Sequence, residues 1–215
     1  MLGPETTRFI EDLAANNDRD WFKANEERYK QHYKLAGEAF AETLAVKLGE
    51  ALGSSFTPRN FRIFRDVRFS KDKTPYNPHL RIGFSRPDGP KDQPFAMAGL
   101  QLGKLVVGVG RFGFEKETLN CFREQVAGDR GEELQSILDS LICEGARLSE
   151  PDLKRVPSPY ERDHPRAELL RHKGLAVWRD TDGHDLAYGD QGADKVADEL
   201  LKLRPAYDWL ARLAG

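Results

Sequence analysis

Cysteine is scarce: Cys121 and Cys143 are the only two in the chain, and neither has a Cys or His neighbour at metal-ligand spacing. No thiolate metal site can be built from them, and they read as half-buried structural thiols, each within a helix. Long apolar runs are missing, since nothing approaches the ~20 residues that a membrane span needs. The opening Met1-Leu2-Gly3-Pro4-Glu5-Thr6-Thr7-Arg8 has no basic stretch followed by an apolar one, so neither a signal peptide nor a membrane partner is expected and the protein reads as cytoplasmic. A surplus of charge is absent too. The formal net charge is −2, which gives no global attraction to nucleic acid or anionic lipid; any such affinity needs a local patch. Repeats, low-complexity tracts and linkers are also absent. What remains is an ordinary globular composition, 39% apolar and 32% charged with both signs interspersed, read as one domain over residues 1–215.

The periodicity changes along the chain. Pro4 suits a first helical turn, with Phe9, Ile10 and Leu13 on one face, and Asn16-Asn17 ends that helix. Asp18 or Asp20 caps the next. Its stripe of Phe22, Tyr29, Tyr33, Ala36, Phe40, Leu44, Leu48 and Leu52 predicts one long helix stopped at Gly53. Asn25 falls on that stripe and needs a partner if buried. Strands follow: alternation at Leu80, Ile82 and Phe84, then Phe95 to Leu102 and Leu105 to Phe112 around a Gly103-Lys104 hairpin turn. Helices return around Leu119 to Val126 and Leu134 to Leu141, with a short one after Pro165. A strand at Leu175 to Trp178 precedes a last helix that Pro205 kinks or splits. The predicted class is α+β: an antiparallel sheet in the middle of the chain, covered by N- and C-terminal helices.

Several motifs fail on context. Gly108, Gly110 and Gly113 fit G-x-G-x-x-G, but the preceding strand belongs to a hairpin and no second parallel strand follows to carry a ribose-binding acid. Gly108 and Gly110 read instead as baring one face of a strand for close approach by a helix or ligand. Ser70 and Lys73 fit S-x-x-K, yet Pro75 denies them the helix that a serine–lysine pair requires. The five histidines are scattered, and His164, just before Pro165, suits a cap. With no HExxH, EF-hand, P-loop or G-x-S-x-G motif, no metal or cofactor is expected.

One segment stands out. From Arg59 to Arg81 there are seven Arg or Lys (59, 62, 65, 68, 71, 73, 81) against Asp66 and Asp72, a net +5 that leaves −7 for the rest. The cations are interleaved with Phe61, Ile63, Phe64, Val67 and Phe69, which tie the backbone to a core while guanidinium groups emerge. Arginine forks suit carboxylate or phosphate, and Ser70, Thr74 and Tyr76 add hydroxyls. The leading expectation is a site for a small anionic ligand, phosphorylated or carboxylated. It comprises Arg62, Arg65, Asp66, Arg68, Ser70, Lys71, Lys73, Thr74, Tyr76 and His79, with Asp66 or His79 as candidate proton-transfer groups if the protein is an enzyme. The alternative is a structural or protein-interaction role, in which Arg65 and Arg68 pair with Asp66, Asp72 and helix acids. Nucleic-acid binding ranks third.

The same segment carries a resemblance. Arg62-Ile-Phe-Arg65-Asp66-Val-Arg68-Phe-Ser70-Lys71-Asp72-Lys73-Thr74-Pro75-Tyr76 resembles the signature of the bacterial and fungal family known as domain of unknown function 2461. Asn16-Asn17-Asp-Arg19-Asp-Trp21-Phe22-Lys-Ala-Asn25 is similar to its other hallmark, and Asp163-His164-Pro165 with Leu169-Leu170 and Lys173 to a third. The resemblance runs essentially end to end. It implies a single domain and assigns no activity, substrate or cofactor. It also suggests Arg19, Trp21 and Asn25 as a second wall of the cationic site.

Overall fold

Helix α1, Pro4–Ala15, starts where Pro4 supplies a helical φ and Thr6 accepts a hydrogen bond from the Gly3 N–H. The computed structural model describes residues 1–91 and 93–213. α2, Arg19–Ala24, is capped by Asp18, whose carboxylate accepts from the Trp21 N–H at 2.9 Å. The single long helix expected next is interrupted. Asn25 separates α2 from α3, Glu26–Arg28, and a π-helical stretch, Tyr29–Leu35, leads into α4, Ala36–Leu52. The apolar stripe is nonetheless buried as expected at Phe22, Tyr33, Ala36, Phe40, Leu44 and Leu48. Steps of four residues overshoot a 3.6-residue turn, and the wider π turn takes up that drift. Gly53, at φ +64°, ends α4.

Six strands form an antiparallel sheet of order β1-β2-β3-β4-β6-β5: β1 Thr57–Asn60, β2 Leu80–Ser85, β3 Phe95–Gln101, β4 Lys104–Arg111, β5 Arg147–Leu148 and β6 Leu175–Asp182. Helices lie at both ends of the chain, so the α+β class holds. The sequence reading lacked β1 and β5: β1 holds Pro58 between polar residues, and β5 has two residues. The hairpin turn lies one residue earlier than expected, at Leu102-Gly103, with Gly103 at φ +70°. α5, Lys116–Ala127, and α6, Arg130–Cys143, follow; α7 is Ala167–Leu170, and the final helical region is split into α8, Gly192–Leu201, and α9, Arg204–Ala211. Both cysteines are free and helical, but Cys143 is exposed rather than half-buried. Among the described residues no helix is long and apolar enough to cross a membrane.

The chain divides into two compact units, given over their described residues. The first takes Met1–Pro87, Met97–Val107 and Asp180–Glu199, the second Asp88–Ala96, Gly108–Arg179 and Leu200–Gly215. In the first, α4 packs on β1 and β2, close enough that a Cβ on Gly37 would sit 3.1 Å from Leu80. β2 alternates as its sequence requires, with Leu80, Ile82 and Phe84 buried. Its pairing with β1 sets Arg59 opposite Gly83 and Asn60 opposite Ile82.

In the second unit, a Cβ on Gly108 would lie 2.2 Å from the Trp178 ring, and one on Gly110 2.4 Å from the Leu175 carbonyl oxygen. The bared strand face expected at these glycines is therefore occupied by β6 itself, a packing role and not a phosphate turn. Gly110→Ala should lower stability by about 1–3 kcal/mol. Gly113→Ala, whose added Cβ meets nothing within 4 Å, should stay within about 0.5 kcal/mol. Urea unfolding midpoints check this, and equal losses at both positions would contradict it.

Candidate functional site

The cationic segment forms the connection from β1 to β2. Its limbs are joined at a bridge between Phe64 and Tyr76. There the Arg65 N–H donates to the Pro75 carbonyl at 2.9 Å and the Asn77 N–H to the Ile63 carbonyl at 2.7 Å. The interleaving expected from the sequence holds only in part: Ile63 is buried and Val67 half-buried, but Phe61, Phe64 and Phe69 are exposed, so the backbone is tied to the core at Ile63 and Tyr76 while Arg62 and Arg68 emerge.

Beyond the bridge the loop is tied by its own charges. Asp72 accepts from the Thr74 N–H at 2.9 Å, from the Thr74 hydroxyl, and from Arg65 Nη1 at 2.5 Å, and Arg65 Nη1 also donates to Thr74 Oγ1. Asp66 is gripped by Arg68 in a fork, Nε to Oδ1 at 2.9 Å and Nη2 to Oδ2 at 2.7 Å, and accepts from the Arg68 N–H as well. Lys73 Nζ donates to the Val67 carbonyl at 3.0 Å, so with Ser70 it forms a loop crossing rather than a helical serine–lysine pair. Among the described residues Arg62 and Lys71 make no hydrogen bond or ion pair; Arg62 acts on Asp66 through its charge. Phe69, at the far end of the loop, is 96% exposed, and the Arg68 guanidinium lies 5.9 Å from its ring centre.

The other hallmark stretch anchors the base of this loop. The Asn17 side-chain amide donates to the Tyr76 carbonyl at 3.0 Å and accepts from the Tyr76 N–H at 3.1 Å. Phe22 stacks on Tyr76 with ring centres 4.1 Å apart and planes 13° from parallel, and also meets Phe64 at 5.7 Å. The Tyr33 hydroxyl donates to the His79 carbonyl at 2.9 Å.

Of the suggested second wall, Arg19 lies close enough to Tyr76 for its charge to act on the phenol. Trp21 packs against Phe9 at 5.9 Å. Asn25 is used inside the helix junction: it donates to the Trp21 carbonyl and accepts from Arg28, which also binds Asp12 at 2.8 Å. Asn17, Phe22 and Tyr33 are therefore the positioning residues, and among them only Asn17 and Phe22 lie in a recognised motif.

Neither candidate proton-transfer group sits near neutrality. Burial, with the charge of Arg81, pushes the His79 imidazole down to about 4. Hydrogen bonds from Arg68 hold the Asp66 carboxyl below the usual carboxylate range. Asp72 is pulled down to about 2 by the Thr74 N–H, Arg65 and the Thr74 hydroxyl. His79 is accordingly neutral at pH 7 and adds no charge to the loop.

The second unit holds another group of cations, which no sequence pattern singled out. Lys154, Arg155, Arg162 and Arg171 line an open hollow of about 450 Å³. They are spread over a Pro-rich connection without periodicity, so the sequence carries no signal that they meet.

Asn17→Ala should cost about 1–3 kcal/mol, because it strips both partners from part-buried backbone groups of Tyr76. Arg62→Ala should change stability by less than about 0.5 kcal/mol. Thermal unfolding separates the two, and equal effects would contradict the anchoring role. The pH dependence follows from the shifted groups. Unfolded His79 takes up a proton below its ordinary 6.5, whereas the folded ring refuses it until about 4. Its contribution is therefore complete above pH 6.5 and is lost as pH falls through that window. Asp72 acts the same way lower down, its contribution complete above 3.8 and lost toward about 2. NMR titration of His79 should give a midpoint near 4, and a midpoint near 6.5 would contradict the burial of the ring.

A search of curated proteins returns no match. A family model described as "Conserved hypothetical protein (DUF2461)" matches residues 5–209. That span contains the anchoring helix, the tied loop and the connection after β5, and the chain belongs to this family.

Proposed function

We propose that the protein binds a small anionic ligand, phosphorylated or carboxylated, through the cations of segment 59–81 that internal pairing leaves uncommitted. The observation that carries this reading is the division of labour within the loop. Arg65 and Lys73 are spent on Asp72, Thr74 and the Val67 carbonyl, while Arg62 and Lys71 make no hydrogen bond or ion pair among the described residues. Arg68 is oriented by Asp66 yet keeps 78% of its side chain exposed. A cation already held in place loses less freedom when it binds, which favours affinity. The Phe69 ring gives an apolar companion for the organic part of a ligand.

The ion pairs also favour a second reading, a structural or protein-interaction role, in which the network serves the shape of the loop and Phe69 meets a partner protein. Substitution separates the two. Arg62→Ala with Lys71→Ala should leave the melting temperature unchanged and weaken binding of inorganic phosphate or citrate by about tenfold or more, roughly 1.4 kcal/mol. Arg65→Ala should lower the melting temperature if the network is structural, and an unchanged value would favour the ligand reading. If neither anion stabilises the protein in a thermal-shift titration, the ligand reading is lost and the interaction role stands. Binding to mixed RNA or DNA that falls steeply with salt would point to nucleic acid instead.

A further inference from the structure

The hollow in the second unit is independent of the loop. Its cations come from three places in the chain. Lys154 and Arg155 lie in the connection after β5, Arg162 precedes the Asp163-His164-Pro165 motif, and Arg171 follows α7. Backbone hydrogen bonds bring them together. The Leu153 N–H donates to the Arg171 carbonyl at 3.0 Å, the Tyr160 N–H to Pro157 at 3.1 Å, and the Ala167 N–H to His164 at 2.9 Å. His164 caps the turn by accepting from the Arg166 N–H at 3.0 Å. The Arg166 side chain then fastens this turn to the end of α5, donating to the Val126 carbonyl at 2.6 Å and to those of Ala127 and Gly128 at 3.1 Å. Leu169 and Leu170 of α7 are buried beneath it. The wall is therefore part of the fold and not a loose basic loop.

Among the described residues none of the four cations is paired with a carboxylate. Their side chains make no hydrogen bond or ion pair among the described residues, although arginines elsewhere, such as Arg28 and Arg212, are paired with carboxylates. Glu168 is the one acid in the wall, so four cations face one carboxylate, a surplus of three. Like charges gathered around a concavity repel one another, and a bound anion relieves that repulsion. A single carboxylate would neutralise only part of the surplus, whereas a phosphate brings two charges and several acceptor oxygens suited to guanidinium forks. Val156 and Ala167 supply an apolar patch for the rest of a ligand, and a volume of about 450 Å³ suits a small metabolite.

We propose that this hollow is a second anion site, which takes a small phosphate-bearing molecule such as a phosphate monoester or a pyrophosphate. The test is calorimetric titration of the full-length protein with inorganic pyrophosphate at fixed ionic strength, alongside citrate. The expected result is binding that falls by about tenfold or more in Lys154→Gln with Arg155→Gln, corresponding to roughly 1.4 kcal/mol. Arg62→Ala with Lys71→Ala should remove only binding at the loop and leave the hollow's binding unchanged. Lys154 and Arg155 are exposed, so the variant should keep the wild-type melting temperature, and Arg155→Lys should retain part of the binding. No binding up to ~10 mM, far weaker than a millimolar site, overturns the proposal. So does binding lost only in the loop variant, an outcome that leaves the loop reading standing. Citrate binding as tightly as pyrophosphate overturns the assignment to phosphate.

Discussion

The Asn17 side-chain amide meets both backbone groups of Tyr76, and the Phe22 ring stacks on the Tyr76 ring. The shape of the long loop between β1 and β2 depends on that contact. A loop of this length pays substantial conformational entropy to hold one form. Here the cost is offset at its base by a two-point amide clamp, a buried aromatic pair worth about 0.5–1.5 kcal/mol beyond its area, and the Tyr33 bond to the His79 carbonyl. Phe22 precedes the break at Asn25 and Tyr33 lies in the π turn after it, and both rings meet Phe9, while α4 packs on β1 and β2.

With its base fixed, the loop divides its charges between two tasks. Asp66 and Asp72 each take one arginine, and the shortness of those connections along the chain makes the pairs local. Exposed ion pairs contribute little to global stability. Their effect here is orientation: they choose which cations face outward and which close the loop. A segment of net +5 thus presents fewer available cations than its composition suggests. The hollow lined by Lys154, Arg155, Arg162 and Arg171 is the opposite case, with fewer cations, one acid and, among the described residues, no hydrogen bond or ion pair to any of the four.

Much of the fold was legible because burial follows period. Phe22, Tyr33, Ala36, Phe40, Leu44 and Leu48 of the stripe and the alternation at Leu80, Ile82 and Phe84 are buried as written, with Tyr29 half-buried. Continuity of the helix was not legible, since a π turn preserves the stripe that would reveal it. β1 was hidden by Pro58 and by its polar residues, and β5 by its length. At the loop, the sequence displayed the charges and their interleaving with aromatics, but pairing is a matter of geometry. The sequence set Arg65 and Arg68 against Asp66, Asp72 and helix acids; the structure pairs Arg65 with Asp72 and Arg68 with Asp66, and which acid takes which arginine is read only from the folded loop. The link from Asn17 to Tyr76 and the meeting of Lys154 with Arg171 are long-range contacts without periodicity, so only the folded backbone reveals them.

The central claim is that the segment between β1 and β2 is a rigid element whose order originates at the Asn17–Tyr76 contact. Backbone ¹⁵N relaxation across residues 62–79, in the wild type and in Asn17→Ala, tests it directly. Order parameters near those of rigid backbone, about 0.85, are expected throughout the loop in the wild type, with a fall below about 0.6 between Asp66 and Lys73 in the variant. A wild-type loop already below that level, or a variant loop as ordered as the wild type, would contradict the account.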